Sequence, residues 1–170
     1  MAQDGTTLIT DIGLDLIRTA SGDASQVAIS HIALGDGLGA LYAPAHSQTT
    51  LRRKLTRVAI ERRMALGNDS WRVKAEFIAA TTPAFTVREA GFFDEDGNLI
   101  AIWAGLDVLP RQTGVVDYLV EHVLNFSRVA SGLVIIDAPD DDLFDLSINV
   151  LANLATQSLA IFNLTERIAP

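Results

Sequence analysis

The chain has 170 residues, of which 49% are hydrophobic and 20% charged, a composition typical of one folded domain with a real core. Its 13 Lys and Arg against 21 Asp and Glu give a formal net charge of -8, which disfavours nucleic acid and anionic membranes as partners. The absence of cysteine excludes disulfides, thiolate zinc sites and a cysteine nucleophile.

The first predicted element is an amphipathic helix over residues 6–20, TTLITDIGLDLIRTA. Thr6 or Thr7 is available as its N-cap, and the sequence SGD that follows would close it. Gly13 lies inside this segment at a cost of about 1 kcal/mol relative to Ala, so it marks a close packing contact. The apolar residues at helical spacing are Leu8, Ile9, Ile12, Leu16 and Ile17.

After this helix the hydrophobic period changes to two, which predicts strands. Alternation is cleanest between Trp71 and Phe77, where a wet face carries Arg72, Lys74 and Glu76. Six or seven strands without strict βαβ alternation predict an α+β fold, mainly an antiparallel β domain with an N-terminal helix. The predicted strands cover residues 27–34, 55–64, 71–77, 85–93, 99–104, 118–126 and 133–136.

The tail, residues 147–167, contains neither Gly nor Pro, and its apolar residues recur every three or four positions. This pattern predicts a C-terminal helix, and its apolar circumference suits packing against other subunits as well as its own domain. A helix that simply closes its own domain fits the pattern equally well. The predicted division is therefore residues 1–145 as one domain and residues 146–170 as a helical segment.

The glycine-rich stretch GDGLG, after the strand that contains His31, could suggest a phosphate-binding loop. It lacks the GxGxxG spacing and the Lys-Ser/Thr pair of nucleotide-binding loops, so it predicts a turn. The following LYAPAHSQTT predicts a connecting loop. The basic run RRKLTR, residues 52–57, predicts the solvent face of a strand.

Three histidines, His31, His46 and His122, are not spaced as metal ligands on one helical face. His122 falls within a strand pattern, where a hydrogen-bonded structural histidine is expected. The acidic run DAPDDD, residues 137–142, predicts a solvated loop that caps the tail helix. No arrangement supports nucleophilic catalysis, so we expect no enzyme activity, no cofactor and no metal.

The most distinctive stretch is REAGFFDEDGNLIAI, residues 88–102, in which DEDGN separates two apolar segments. A calcium loop needs its glycine at the sixth position, whereas here it is at the fourth. Gly97 and Asn98 tolerate positive φ, and Asp94 and Asp96 can accept hydrogen bonds from backbone amides. The stretch therefore predicts a β-hairpin with DEDGN as its bend.

The order of motifs TLITDIGLDLI, HIALGDGLGA, WRVKAEFIA and FTVREAGFFDEDGNLIAI resembles the N-terminal domain of phage tail-collar fibre proteins. The resemblance covers roughly residues 6–136, and the hairpin is its most specific part. Phe92 and Ile102 depart from the Leu and Val usual in the family but remain apolar. The motif residues of the hairpin are Arg88, Glu89, Gly91, Phe93, Asp94, Gly97 and Leu99.

The resemblance implies a structural virion protein, made in the host bacterial cytoplasm and located in the virion tail or baseplate. It implies a homotrimer whose partners are the baseplate of a contractile tail and other tail fibre proteins. Family members normally continue into a shaft and a receptor-binding tip, so for a chain ending at Pro170 we expect attachment. The expected contacts between subunits are Ile148, Leu151, Leu154, Ala155, Leu159, Ile161 and Phe162.

Two other functions remain open from the sequence. A carbohydrate-binding, carbohydrate-degrading or receptor-recognition module would need exposed aromatics or paired carboxylates, and aromatics make up only 6% of the chain. A chaperone that helps another fibre to fold would have the same sequence features as a fibre component. The N-terminus MAQDGTT lacks signal-peptide features and no apolar run reaches roughly 20 residues, so we expect neither signal-directed export nor membrane insertion.

Overall fold

The computed structural model describes residues 7–67, 69–105, 111–126, 128–129 and 131–141. The chain divides into two units, Met1–Pro139 and Asp140–Pro170, and the elements below belong to the first. They are β1 (Leu8–Ile9), α1 (Asp11–Asp23), β2 (Val27–Ile29), β3 (His31–Gly35), a 3₁₀ turn (Gly37–Gly39), β4 (Lys54–Ala59), β5 (Arg62–Gly67), β6 (Ser70–Phe77), β7 (Thr86–Val87), β8 (Glu89–Phe93), β9 (Leu99–Ala104), β10 (Arg111–Gln112), β11 (Tyr118–Asn125) and β12 (Val134–Ile136).

Two antiparallel sheets form most of the described fold. The larger has the strand order β1-β9-β8-β3-β4, and the smaller has the order β11-β6-β5. Two short pairs accompany them, the antiparallel β10-β7 and the parallel β12-β2. The predicted mainly antiparallel β domain with an N-terminal helix is therefore confirmed.

The main core contains residues from both larger sheets and from α1. Ile32 and Phe92 come from the five-stranded sheet, Val73 and Leu124 from the three-stranded sheet, and Ile17 from the helix, all buried in one cluster. The alternation predicted for β6 is confirmed, since its inward positions fill this core and Glu76 is exposed.

A second, smaller core involves the long segment between the 3₁₀ turn and β4. Tyr42 and Leu51 of this segment are buried in one cluster with Phe93, Leu99 and other residues of the five-stranded sheet. Because Phe92 lies in the main core and Phe93 in this one, β8 contributes to two separate clusters. The predicted loop over LYAPAHSQTT is confirmed, and it covers part of the sheet.

The helix begins five residues later than its apolar pattern predicts. Leu8 and Ile9 form β1, which pairs with β9. As a strand at the edge of the sheet, the two residues both form backbone hydrogen bonds and partly bury their side chains. Thr10, rather than Thr6 or Thr7, is the N-cap: its side chain accepts a hydrogen bond from the Gly13 N–H at 3.0 Å. The predicted end at Ala20 is also too early, because the helix continues through SGD to Asp23, and its C-cap, Ala24, is in the left-handed conformation with φ 52°.

Three segments predicted as single strands are each divided. Residues 85–93 break at Arg88, between β7, which pairs with β10, and β8, which joins the five-stranded sheet. Residues 27–34 break at Ser30, so that β2 pairs with β12 while β3 joins the five-stranded sheet. Residues 55–64 break at Ile60 and Glu61, which separate β4 in the larger sheet from β5 in the smaller one. A period-two pattern records which face of a strand is buried but not which sheet the strand joins.

The acidic run and the tail are described only in part. Asp137 and Asp140 are exposed, but Asp141 is buried, so the prediction of a solvated loop is wrong at that residue. The predicted helix over residues 147–167 and the boundary at 145/146 lie outside the described residues. No helix among the described residues is long and apolar enough to cross a membrane.

Candidate functional site

The DEDGN stretch is the bend of the β8-β9 hairpin, as the sequence predicts. The Asp94 carboxylate accepts hydrogen bonds from the backbone N–H of Asn98 at 2.8 Å and from its side-chain amide at 2.7 Å. Gly97 has φ 91°, a conformation that side-chain-bearing residues rarely adopt. Both Asp94 carboxylate oxygens are thus engaged within the turn, where they stabilise the bend.

The apolar residues of the hairpin motif pack into the smaller core. Phe93 and Leu99 are buried there, on either side of the bend. A Cβ added at Gly91 would lie 2.7 Å from the ring of Phe93, 2.9 Å from Leu99 and 3.0 Å from Leu51. Gly91 therefore allows the close approach of the segment that covers this face of the sheet.

Glu89, the first residue of β8, is fully buried and accepts four hydrogen bonds. Its Oε1 accepts from the backbone N–H groups of Arg53 at 2.9 Å and Gly37 at 3.3 Å. Its Oε2 accepts from the backbone N–H of Arg52 at 2.9 Å and from the Tyr42 hydroxyl. One carboxylate therefore connects β8, the 3₁₀ turn and both ends of the covering segment.

This network also fixes the side chains around Glu89. Burial raises the pKa of the Tyr42 hydroxyl, and its hydrogen bond to Glu89 acts in the same direction. The Arg52 guanidinium lies 3.7 Å from the centre of the Tyr42 ring. In the sequence, Glu89 is singled out only as a residue of the hairpin motif that resembles the family. A lone acidic residue in the apolar run EAGFF is nevertheless itself a sign of a buried, paired carboxylate.

The GDGLG stretch forms the 3₁₀ turn that follows β3, as predicted. Gly37, Leu38 and Gly39 are all left-handed, with φ 61°, 60° and 81°. The side chain of Asp36 accepts a hydrogen bond from the Leu38 N–H at 3.1 Å and forms an ion pair with the Arg53 guanidinium. Within the turn these groups stabilise the backbone.

The basic run is only partly the solvent face of a strand. Arg52 and Arg53 precede β4 and belong to the covering segment, where their backbone N–H groups bind Glu89. Lys54 is exposed on β4, whereas Arg57 is half-buried and donates to the Asp94 carbonyl at 2.9 Å. The run therefore contributes to both the second core and the hairpin bend.

His122 is buried in the main core, which confirms the predicted structural role. Its ring lies 5.1 Å from the ring centre of Phe92 and 4.5 Å from that of Trp103. Its Nε2 is 2.7 Å from the Thr7 hydroxyl oxygen, while its Nδ1 has no hydrogen-bond partner among the described residues. Burial among these rings lowers the pKa of His122 to about 4, because the charged imidazolium would lose its hydration.

The lowered pKa predicts a specific loss of stability in acid. Between about pH 6.5 and 4 the unfolded chain binds a proton at His122 that the folded chain does not, so the free energy of unfolding falls as the pH falls through this window. We expect wild-type protein to lose roughly 2 to 3 kcal/mol more than His122→Gln between about pH 7.5 and 4.5, in urea unfolding followed by circular dichroism. Equal losses in the two proteins would show that another group carries the acid sensitivity.

The remaining two histidines take part in local hydrogen bonds. His31 Nδ1 lies 2.7 Å from the Ser30 hydroxyl, and His46 Nδ1 lies 2.7 Å from the Ile9 carbonyl oxygen. Among the described residues, no three His, Cys, Asp or Glu side chains are grouped as a metal site would require. Every described aromatic side chain is buried or half-buried, and none is presented to solvent as a stacking platform for a sugar.

Exposed apolar side chains are the most conspicuous surface feature of the described residues. Leu38 and Leu41 are 63% and 42% exposed in and just after the 3₁₀ turn. A second set lies at one end of the β6-β11 pair and in the loop before β11. Its members are Ile78, Val115, Val116 and Leu119. Such side chains indicate protein contacts more often than chemistry on a small substrate.

The buried carboxylates of Asp36 and Glu89 bind groups of their own domain, and the exposed apolar side chains suit contacts with other proteins, an arrangement typical of a structural protein. A comparison with known families agrees. The family model described as phage tail-collar fibre protein, N-terminal, matches residues 1–113, about two thirds of the sequence. The chain belongs to this family, as its motifs predict. No curated protein and no solved structure shows significant similarity to it.

The match places the hairpin and the Glu89 network within the family domain and stops short of residue 136, where the resemblance was expected to end. Proteins of this family are structural components of phage tails. The predicted subunit contacts between Ile148 and Phe162 lie outside the described residues, so they stay predictions.

Proposed function

We propose that the chain attaches a tail fibre to the baseplate of a contractile tail, or is itself a short fibre, and that it acts as a homotrimer. The observation that carries the proposal is the family match over residues 1–113, which covers most of the described β domain. A domain that holds a fibre in place must keep its shape under load. Its attachment surface also has to be presented by rigid elements.

Two features of the described residues support the proposal. Both faces of the five-stranded sheet contribute to buried clusters, and Glu89 connects the segment that covers the smaller one to β8. Exposed apolar side chains are concentrated at the 3₁₀ turn and at one end of the β6-β11 pair, where they are available to partners. This combination favours assembly over catalysis or glycan binding.

The composition of purified particles tests the proposal. We expect mass spectrometry to detect the chain in mature tails, in a copy number that is a multiple of three for each attachment position. Deleting its gene should leave sheath and tube intact but remove fibres from electron micrographs. If fibres form on tails that never contain the chain, it acts as a folding chaperone and the proposed attachment role is wrong.

A further inference from the structure

The 3₁₀ turn holds a leucine in a conformation that costs energy and exposes it to water. Leu38 has φ 60°, which crowds the Cβ of any L-residue, and its side chain is 63% exposed. A glycine would adopt this conformation without strain, and Gly37 and Gly39 on either side do so. Neither the core nor the hydrogen bonds of the turn require a leucine side chain here. Strain of this kind, at a site that stability does not explain, indicates function.

Cationic residues lie close to the turn that carries this leucine. The Cβ of Arg88 would lie 3.6 Å from a Cβ added at Gly37, the Arg53 guanidinium pairs with Asp36 in the turn, and Arg52 lies against Tyr42. An open depression of about 450 Å³ beside Arg52 is lined by residues of the 43–52 segment, none of them acidic. We call the following set the turn surface: Leu38, Leu41, Arg52, Arg53, Lys54 and Arg88.

The charge of the turn surface is opposite to that of the whole chain. It carries four cationic side chains, of which Arg53 is paired with Asp36, and the carboxylates of Asp36 and Glu89 are only 6% and 0% exposed. The chain as a whole has a net charge of -8. A positive, leucine-bearing surface on an acidic protein attracts an acidic partner locally while the remaining surface repels it, which fixes the orientation of docking.

We propose that the turn surface binds an acidic face of another tail protein that has an apolar recess for Leu38. This inference rests on the proposed function in that the partner belongs to the tail. A protein fits better than nucleic acid, because the exposed leucines need an apolar contact and the overall negative charge opposes a polyanion. Rigid support from Asp36 and Glu89 means that Leu38 reaches the partner already in its bound conformation.

The decisive variant is Leu38→Gly, which relieves strain and removes the leucine at once. We expect its melting temperature to equal or exceed that of wild type, while its binding to the tail falls at least about tenfold. The probe is fibreless tails, purified from a host that lacks the gene for this chain and mixed with purified full-length protein. The chain retained on tails after gradient centrifugation is the quantity measured.

Three matched control variants separate the effects of backbone strain, of an exposed leucine and of charge. Ala24→Gly relieves the same backbone strain at the end of α1, where φ is 52°, and should leave tail binding unchanged. Leu66→Ala removes an exposed leucine from β5 and should also bind normally. Arg52→Glu should weaken binding, most strongly at low salt, whereas Arg62→Glu on β5 changes the net charge equally and should not.

The outcomes distinguish the inference from the proposed function. If wild-type protein does not bind fibreless tails, the proposed attachment role is wrong. If wild type binds and both Leu38→Gly and Arg52→Glu bind equally well, attachment stands and the turn surface is not the contact. Salt-sensitive binding of wild type to duplex DNA that Arg52→Glu abolishes, or loss of self-association in Leu38→Gly with tail binding intact, would also overturn the inference. Arg52→Glu decides the matter if Leu38→Gly fails to fold.

Discussion

Replacing Glu89 with Ala is expected to lower the free energy of unfolding by roughly 4 kcal/mol, because each buried donor left without an acceptor costs roughly 1 to 3 kcal/mol. The change removes the acceptor of three backbone N–H groups and of the Tyr42 hydroxyl, all held by one fully buried carboxylate. The loss would be a large part of the total stability of a typical domain, about 5 to 15 kcal/mol. Urea unfolding followed by tryptophan fluorescence measures it.

Graded variants show whether the carboxylate itself is responsible. Tyr42→Phe removes a single donor and should cost about 1 kcal/mol. The loss of stability in Glu89→Gln should fall between the losses in Tyr42→Phe and Glu89→Ala. Its amide oxygen can accept from one pair of donors, but its N–H group is turned toward the other pair. Glu76→Ala, at an exposed position of β6, should change stability by less than about 0.5 kcal/mol. A Glu89→Ala protein as stable as Glu76→Ala would mean that water satisfies the donors.

Glu89 also shows what a sequence reveals and what it conceals. The hairpin, its DEDGN bend and the cleanest strand were predictable, because turn chemistry and alternation are local properties of neighbouring residues. The partners of Glu89 were not predictable, since they lie 36 to 52 positions away along the chain. Long-range pairing of a buried charge depends on how the covering segment folds back, and no short motif encodes that path.

The same distinction explains the errors in the predicted elements. Leu8 and Ile9 fit the helical spacing as well as any residue of α1, but tertiary pairing with β9 makes them a strand. The apolar pattern of residues 27–34 continues across Ser30 and predicts one strand, but the chain changes sheets at Ser30. In the candidate site, the glycines of GDGLG predict a turn, but the exposure and strain of Leu38 are visible only in three dimensions.

The two glycines inside α1 should respond to Ala substitution with opposite signs. In Gly22→Ala the new methyl group has no atom of the described residues within 4 Å apart from its own helical backbone and chain neighbours, so the change should raise the free energy of unfolding by about 0.5 to 1 kcal/mol through helix propensity. At Gly13 a methyl group would overlap the carbonyl oxygen of Ile100 and lie 3.1 Å from its carbonyl carbon. Gly13→Ala also gains helix propensity, but the clash with Ile100 should outweigh that gain.

The helix cannot easily move away from β9 to relieve this clash. Its N-cap, Thr10, donates its backbone N–H to the Ile100 carbonyl at 3.0 Å and its hydroxyl to the Leu99 carbonyl. Overpacking a fixed contact costs about 1 to 3 kcal/mol and occasionally more, so we expect Gly13→Ala to destabilise the protein by roughly 2 kcal/mol net. Thermal unfolding of the two variants side by side is the measurement. Stabilisation by both substitutions would show that α1 is free to shift, and that the close packing contact predicted at Gly13, which lies against β9, is not required by the fold.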